Sequence, residues 1–307
     1  MTARDDGGDE ELAELLAEVR RIEVQSTRLV TGTMAGSYAS VFRGAGVEFD
    51  EVREYVEGDD PRQIDWNVTA RVGRPFVKKY VDERELTVVF VLDQSPTMRG
   101  GFGPWSARQI AARVCATLAF SAARNHDKVG LVACGDGAPR FVRPANGRGH
   151  ALRIVRDVLA LPDASRSVDL APALDRVART LRRHAIVFVL SDFLAFAPGP
   201  ELDLCARRHD VVAVRLAVPE LDAPPLGLSW LRGAGSSSPV LVDWSSPRVR
   251  AAYAERVAAW RRRTDAALRR SRIDVLDVPV PTVAGKDVVA PALMRFFRMR
   301  ELRGAKR

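Results

Sequence analysis

Cysteine, histidine and long apolar runs are all scarce in this chain, and each scarcity removes a class of function. Only three cysteines occur in 307 residues, Cys115, Cys134 and Cys205. They are odd in number, far apart and set in apolar patterns, so they read as reduced, buried thiols without a zinc or redox motif. The four histidines, His126, His150, His184 and His209, form no His-x-x-x-His pair, which argues against a zinc hydrolase. No Gly-x-Ser-x-Gly elbow is present, and Ser191 beside Asp192 has no identifiable histidine base. Gly285-Lys286 is followed by Asp287 and lacks the earlier glycine of a phosphate loop, so any ATP-driven work must come from a partner. No enzymatic activity is expected. The longest apolar runs, Leu86–Leu92 and Ala185–Leu190, fall far short of the ~20 residues a membrane helix needs. The N-terminus turns acidic at once (Asp5, Asp6, Asp9, Glu10, Glu11) with no apolar leader segment, so the expected location is cytoplasmic, without membrane insertion.

Lysine is also rare: nearly all of the 47 basic residues are arginine, and the net charge is +8. A run from Arg261-Arg262-Arg263 to Arg269-Arg270 and Arg272 makes an Arg-rich nucleic-acid-binding protein the alternative function. No aromatic residues interleave with these arginines as single-strand readers require. The chain is also Ala-rich, which suits solvated helix faces, and nucleic acid is not expected as the partner.

What is present is an alternation of helical and strand patterns. Leu12, Leu15, Leu16, Val19 and Ile22 fall on one helical face between about Asp9 and Val24, so residues 1–25 read as an acidic tail and an amphipathic helix that packs on the body. Residues 26–85 lose that period, are rich in glycine, aromatic and charged residues, and read as a small turn-rich module. From 86 to 300, continuous β-branched runs alternate with helices. Leu86–Leu92 and Ala185–Leu190 have the character of strands buried on both faces, and the spacing predicts an α/β, doubly wound, mainly parallel sheet of Rossmann type. A Pro-, Gly- and Ser-rich insertion at 219–242 precedes a long Arg-rich helix at about 247–270 and reads as a rim hairpin.

Ligands of open parallel sheets bind beyond the carboxyl ends of the strands, where the strand order reverses. Two of the most apolar strands end in Asp93-Gln94-Ser95-Pro96-Thr97 and in Ser191-Asp192-Phe193, which places carboxylates and hydroxyls at that rim. Asp93, Ser95 and Thr97 can offer oxygens to a hard cation such as Mg²⁺, with Asp192 bound directly or through water. The same residues can equally satisfy backbone N–H groups of a strand-to-helix turn.

Asp-x-Ser-x-Thr after an apolar strand resembles the Asp-x-Ser-x-Ser signature of von Willebrand factor A-like domains, with Ser191-Asp192 similar to their late-strand aspartate. The chain as a whole resembles the bacterial "domain of unknown function 58" family. The likeness runs through Gly36–Gly44, Gly46, Glu48-Phe49, Arg53-Glu54-Tyr55, Gly58-Asp59-Asp60, Arg62, Ile64-Asp65-Trp66, Thr69-Ala70-Arg71, Lys78 and Glu83-Arg84-Glu85, then Asn125–Leu131, Gly147–His150 and Ser191–Phe193. The resemblance implies a von Willebrand factor A-like domain, a MoxR-type AAA+ ATPase as partner, and a non-catalytic adaptor role in assembly or maturation of a client complex. It also implies a metal-ion-dependent adhesion site, degenerate here because Val168 in Ser167-Val168-Asp169-Leu170 stands where a ligating threonine is usual. Ser167 or Asp169 would substitute, and Mg²⁺ would bind weakly.

The charged segment 43–71 carries a second set of candidates. Arg43, Glu48, Arg53, Asp59, Asp60, Arg62, Asp65, Trp66 and Arg71 form either a salt-bridged scaffold or a docking surface, with Trp66 expected as a core anchor.

Overall fold

The structure is a computed structural model and describes residues 6–31, 38, 41–42, 49–56, 59–61, 64–80, 85–195, 199–222, 227–231, 238–285 and 287–304. The N-terminal helix α1 spans Asp6–Thr31, running past both expected ends. Val19, Ile22, Ser26 and Val30 are buried along it. Leu16, expected on that face, is 46% exposed. At 100° per residue it sits roughly 75° off the centre of the buried stripe.

A small antiparallel pair follows, β1 (Phe49–Glu54) with β2 (Phe76–Tyr80), joined through the short helix α2 (Trp66–Val72). Asp65 caps α2 by accepting from the Asn67 and Val68 N–H groups, and Gly73 closes it in the left-handed conformation, φ 75°.

The main body is a six-stranded sheet made of β3 (Thr87–Asp93), β4 (Lys128–Cys134), β5 (Arg140–Ala145), β6 (Ile186–Ser191), β7 (Asp210–Ala217) and β10 (Asp274–Pro279). Its order is β10-β7-β6-β3-β4-β5, parallel throughout except for the antiparallel edge strand β5. The chain winds one way from β3 and then the other from β6, so the order reverses between these two neighbours. This is the doubly wound α/β arrangement. The helices around it are α3 (Ala107–Arg124), α4 (Arg148–Ala160), α5 (Ala171–Thr180), α6 (Pro200–Arg208), α7 (Pro247–Arg270) and α8 (Val289–Gly304). Between β7 and α7 stands the hairpin β8 (Leu228–Leu231) with β9 (Val240–Asp243), as the insertion implied. No helix of the described residues is long and apolar enough to cross a membrane.

Alternation along the strands divides the core in two. Val88, Phe90 and Leu92 join α1, α3, α4 and α8 in one layer, whereas Val89 and Val91 join α5, α6 and the end of α7 in the other. Residues of the N-terminal module enter the first layer: Tyr38 is buried, and the Phe42 ring meets Phe188 and Phe297 edge-on, each at 5.8 Å. The three cysteines are free and buried. Burial pushes the Cys205 thiol up to about 12 and the other two higher still, which keeps all three unreactive.

His209 lies just before β7, is buried, and neither ring nitrogen has a partner of good hydrogen-bond geometry. Burial, with the nearby His184 ring and Arg208 charge, lowers its pKa from 6.5 to about 4. Between those values the unfolded chain takes up a proton that the folded chain refuses, so stability falls as the pH is lowered through that window. The contribution of this group at pH 5 should be a loss of about 1–2 kcal/mol. Because the raised pKa of the Asp192 carboxyl acts in the opposite direction, the check is a comparison of urea melts. Relative to pH 7, His209→Phe should raise stability at pH 5 by that amount over the unsubstituted chain, and an unchanged pH response would overturn the assignment.

Candidate functional site at the switch point

Because Leu92 pairs with Leu190, the two adjacent strands deliver Asp93 and Ser191-Asp192 to one place at the carboxyl rim. Both aspartates are buried, Asp93 at 3% exposure and Asp192 at 1%. The Ser191 hydroxyl donates to Asp93 Oδ2 at 2.6 Å, and the Ser95 N–H donates to Asp93 Oδ1 at 2.8 Å. Ser191 Oγ in turn accepts the Phe193 N–H at 2.8 Å, and Asp192 Oδ1 accepts the Leu194 N–H at 2.8 Å. Phe193 adopts φ 58°, which costs a non-glycine residue roughly 1–2 kcal/mol. It is held there by a buried ring and by the Trp260 indole N–H, which donates to its carbonyl at 2.9 Å.

After Asp93 the chain turns through a 3₁₀ segment, Pro96–Arg99, anchored by the fully buried Met98. This brings Thr97 beside Asp192. Neither Thr97 Oγ1 nor Asp192 Oδ2 has a partner of good hydrogen-bond geometry, although the hydroxyl is near enough to favour the charged carboxylate. Burial outweighs that help, and with the Asp93 charge it pushes the Asp192 carboxyl up to about 6.

The third loop, residues 161–170, is clamped against the other two. Asp163 binds both Arg99 and the buried Arg108, Asp136 accepts from the Ser165 N–H and hydroxyl at 2.8 and 3.1 Å, and the Gln94 carbonyl accepts the Ala164 N–H at 2.8 Å. The Val168 N–H then donates to Ser95 Oγ at 2.9 Å. The Val168 side chain packs on the second core layer, so its backbone, not its side chain, meets the site. Asp169 is exposed and accepts the Ala171 N–H at 2.9 Å at the start of α5, and Ser167 is half-buried beside Val168. The structure therefore brings together Asp93, Ser95, Thr97, Asp192 and the 167–169 loop. Arg108, Asp163, Asp136 and Gln94, which hold that loop, carry no periodic signal, and only Gln94 stands inside a motif.

In the N-terminal module, Arg53 forks onto Asp59 at 2.8 and 2.6 Å, and this bond holds the Asp59 carboxyl below its usual range. Asp65 is the helix cap described above. Trp66 is 70% exposed and is not a core anchor. It occupies the first position of a seven-residue helix with no buried residue, too short to press an apolar face inward. Asp60 and Arg71 are exposed too, while Arg43, Glu48 and Arg62 lie outside the described residues.

Among the described residues no three His, Cys, Asp or Glu side chains converge as a metal cluster. A cation at the switch point would have to draw on two carboxylates, hydroxyls and water. That all-oxygen set, with a buried carboxylate oxygen and a hydroxyl lacking hydrogen-bond partners, fits Mg²⁺ and not zinc.

Sheet order, antiparallel edge strand and the two aspartates at the switch point define a doubly wound α/β protein with a mainly parallel sheet. The chain belongs to the family described as protein of unknown function DUF58, whose family model matches residues 51–263. It is 31% identical over 263 residues to uncharacterized proteins of Mycobacterium tuberculosis and Mycobacterium bovis, covering 83% of this chain and 81% of each relative. Among solved structures it is similar to an aerotolerance-related membrane protein from Bacteroides fragilis, at 12% identity and TM-score 0.40, covering 71% of this chain and 99% of that one. It is also similar to the VWA domain of SpRpn10, at 11% identity and TM-score 0.37, covering 69% and 95%.

Proposed function

We propose that the protein is a non-catalytic interaction adaptor that docks a partner protein at the carboxyl rim of its sheet, with Mg²⁺ held weakly by Asp93, Ser95, Thr97 and Asp192. The carrying observation is the pair of buried aspartates at the switch point, where Asp192 Oδ2 and the Thr97 hydroxyl beside it have no partner of good hydrogen-bond geometry. Bound there, the cation would supply positive charge to an acidic side chain of the partner, so that metal and partner affinities rise together.

Exposed apolar side chains on loops leaving the same rim support this reading. Phe102 follows β3, Val283 follows β10, and Leu228, Trp230 and Leu241 stand on the hairpin after β7. The first two loops are closely fitted, since a Cβ on Gly103 would lie 2.0 Å from the Pro281 carbonyl oxygen. The hairpin is anchored by the buried Trp244, whose indole N–H donates to Ser229 Oγ at 2.6 Å. With no phosphate loop in the sequence, the energy for remodelling a client would come from a MoxR-type AAA+ ATPase, the partner that the family resemblance suggests.

The test is capture of that ATPase by the purified chain, with and without Mg²⁺, together with thermal melts of the chain alone. Capture should be reversed by EDTA, and 10 mM Mg²⁺ should stabilise the chain by about 1 kcal/mol if the dissociation constant is near 1–2 mM. Metal-independent capture with no melting shift would refute the metal; absence of capture under both conditions would refute the ATPase.

A further inference from the structure

We infer that the opposite, amino-terminal rim of the sheet is a second docking surface, built to take an acidic protein segment. Three neighbouring strands, β6, β7 and β10, begin there, and the helix end or turn before each carries arginines: Arg182 and Arg183, Arg207 and Arg208, and Arg269, Arg270 and Arg272. Strand register places the three turns side by side, with Ile186 opposite Asp210 and Asp274 opposite Val212. The His184 and His209 rings, 6.4 Å apart, bring the first two turns together. The third is tied in by Ser271 Oγ, which donates to Asp203 Oδ1 of α6 at 2.5 Å.

All seven arginines are exposed. Arg208 donates to the Ala178 carbonyl at 2.7 Å, and none of the other six forms an ion pair with a described residue. Of the nearby acids, Asp210 is paired with Arg300 and Asp274 with Arg300 and Arg303, while Asp203 accepts from the Ser271 hydroxyl and keeps its single negative charge. Positive charge is therefore concentrated on one edge, where the seven arginines far outweigh the one acid left without an ion pair, Asp203. Exposed arginine forks suit carboxylates, which they bind in bidentate fashion.

Dimension and composition favour a protein segment over the other anions. The three turns span two strand spacings, about 10 Å, a short footprint beside the ~34 Å turn of a DNA duplex. None of the large exposed hydrophobic residues lies in these segments, so the rim offers no Trp, Tyr or Phe on which single-stranded nucleic acid would stack and no apolar wedge for a bilayer.

The experiment uses the full chain in EDTA, which silences the carboxyl rim and keeps this outcome separate from that of the metal site. Binding of a 20-residue polyglutamate peptide is compared with binding of duplex DNA and of phosphatidylglycerol vesicles at matched anionic charge. The peptide should bind, weaken steeply between 50 and 200 mM salt, and lose at least tenfold in affinity in R182Q/R207Q/R270Q. The control R256Q/R263Q, on the exposed middle of α7, should retain it. Peptide binding that survives the rim substitutions, falls equally in the control, or is exceeded by DNA or vesicles overturns the proposal.

Discussion

Asp93→Ala should do two things at once: lower the stability of the fold by about 2–4 kcal/mol and abolish Mg²⁺-dependent partner capture. The first effect follows from the hydrogen bonds. Asp93 is buried and accepts the Ser95 N–H and the Ser191 hydroxyl, so truncation strands two donors where water cannot replace the carboxylate. The second follows from its place at the junction of β3 and β6, where no other described carboxylate except Asp192 reaches the site. Loss of capture alone would be ambiguous, because a destabilised chain also binds poorly. Thr97→Val separates the two effects. Its hydroxyl makes no hydrogen bond of good geometry, so the fold should change by less than about 1 kcal/mol while the Mg²⁺ response disappears. Urea melts and EDTA-reversible capture measured on both variants are decisive. A Thr97→Val protein that retains its Mg²⁺ response would remove that residue from the site, and an Asp93→Ala protein of unchanged stability would contradict the bonding described.

Arg300→Met is expected to cost about 3–5 kcal/mol, the larger of the two effects on folding. Arg300 is nearly buried on α8 and grips Asp210 through two bonds of 2.7 Å and Asp274 through one of 2.8 Å, clasping the starts of β7 and β10. Its guanidinium also lies 5.3 Å from the centre of the Phe42 ring and 5.2 Å from that of Phe296. Methionine keeps much of the stem but breaks the clasp between the two strand starts, leaving Asp274 paired with Arg303 alone. The exposed pair Arg179–Asp175, at 2.7 Å, provides the contrast: solvent screens it, and Arg179→Met should cost under about 1 kcal/mol. A urea midpoint for Arg300→Met that falls no further than for Arg179→Met would show that the clasp does not hold the sheet edge.

Most of the fold could be read in the sequence because its signals are local. Runs such as Thr87–Asp93 and Ile186–Ser191 state their own burial, and the acidic and hydroxyl residues that end them mark the rim. The helical stripe of α1 was legible at Val19 and Ile22 but misleading at Leu16, since the angle at which a helix meets its neighbours is not written in its own period. Trp66 misled for a related reason. Size and aromatic character suggest a core anchor, yet a residue can be buried only if something packs over it, and α2 has no buried face.

By itself the sequence determined the class of the protein: an alternating α/β chain, two aspartates at strand ends, and an arginine-rich composition. Only the tertiary structure decided what those residues do together. It set β3 beside β6, so that Asp93 and Asp192 share one buried site although they stand 99 positions apart. It turned the Val168 backbone toward Ser95 and its side chain into the core. It also gathered arginines from three separate turns onto one rim. The physical reason is common to all three. Strand pairing and side-chain packing join residues remote in the chain, and the energy of a buried charge or hydroxyl depends on those neighbours and not on its own position in sequence.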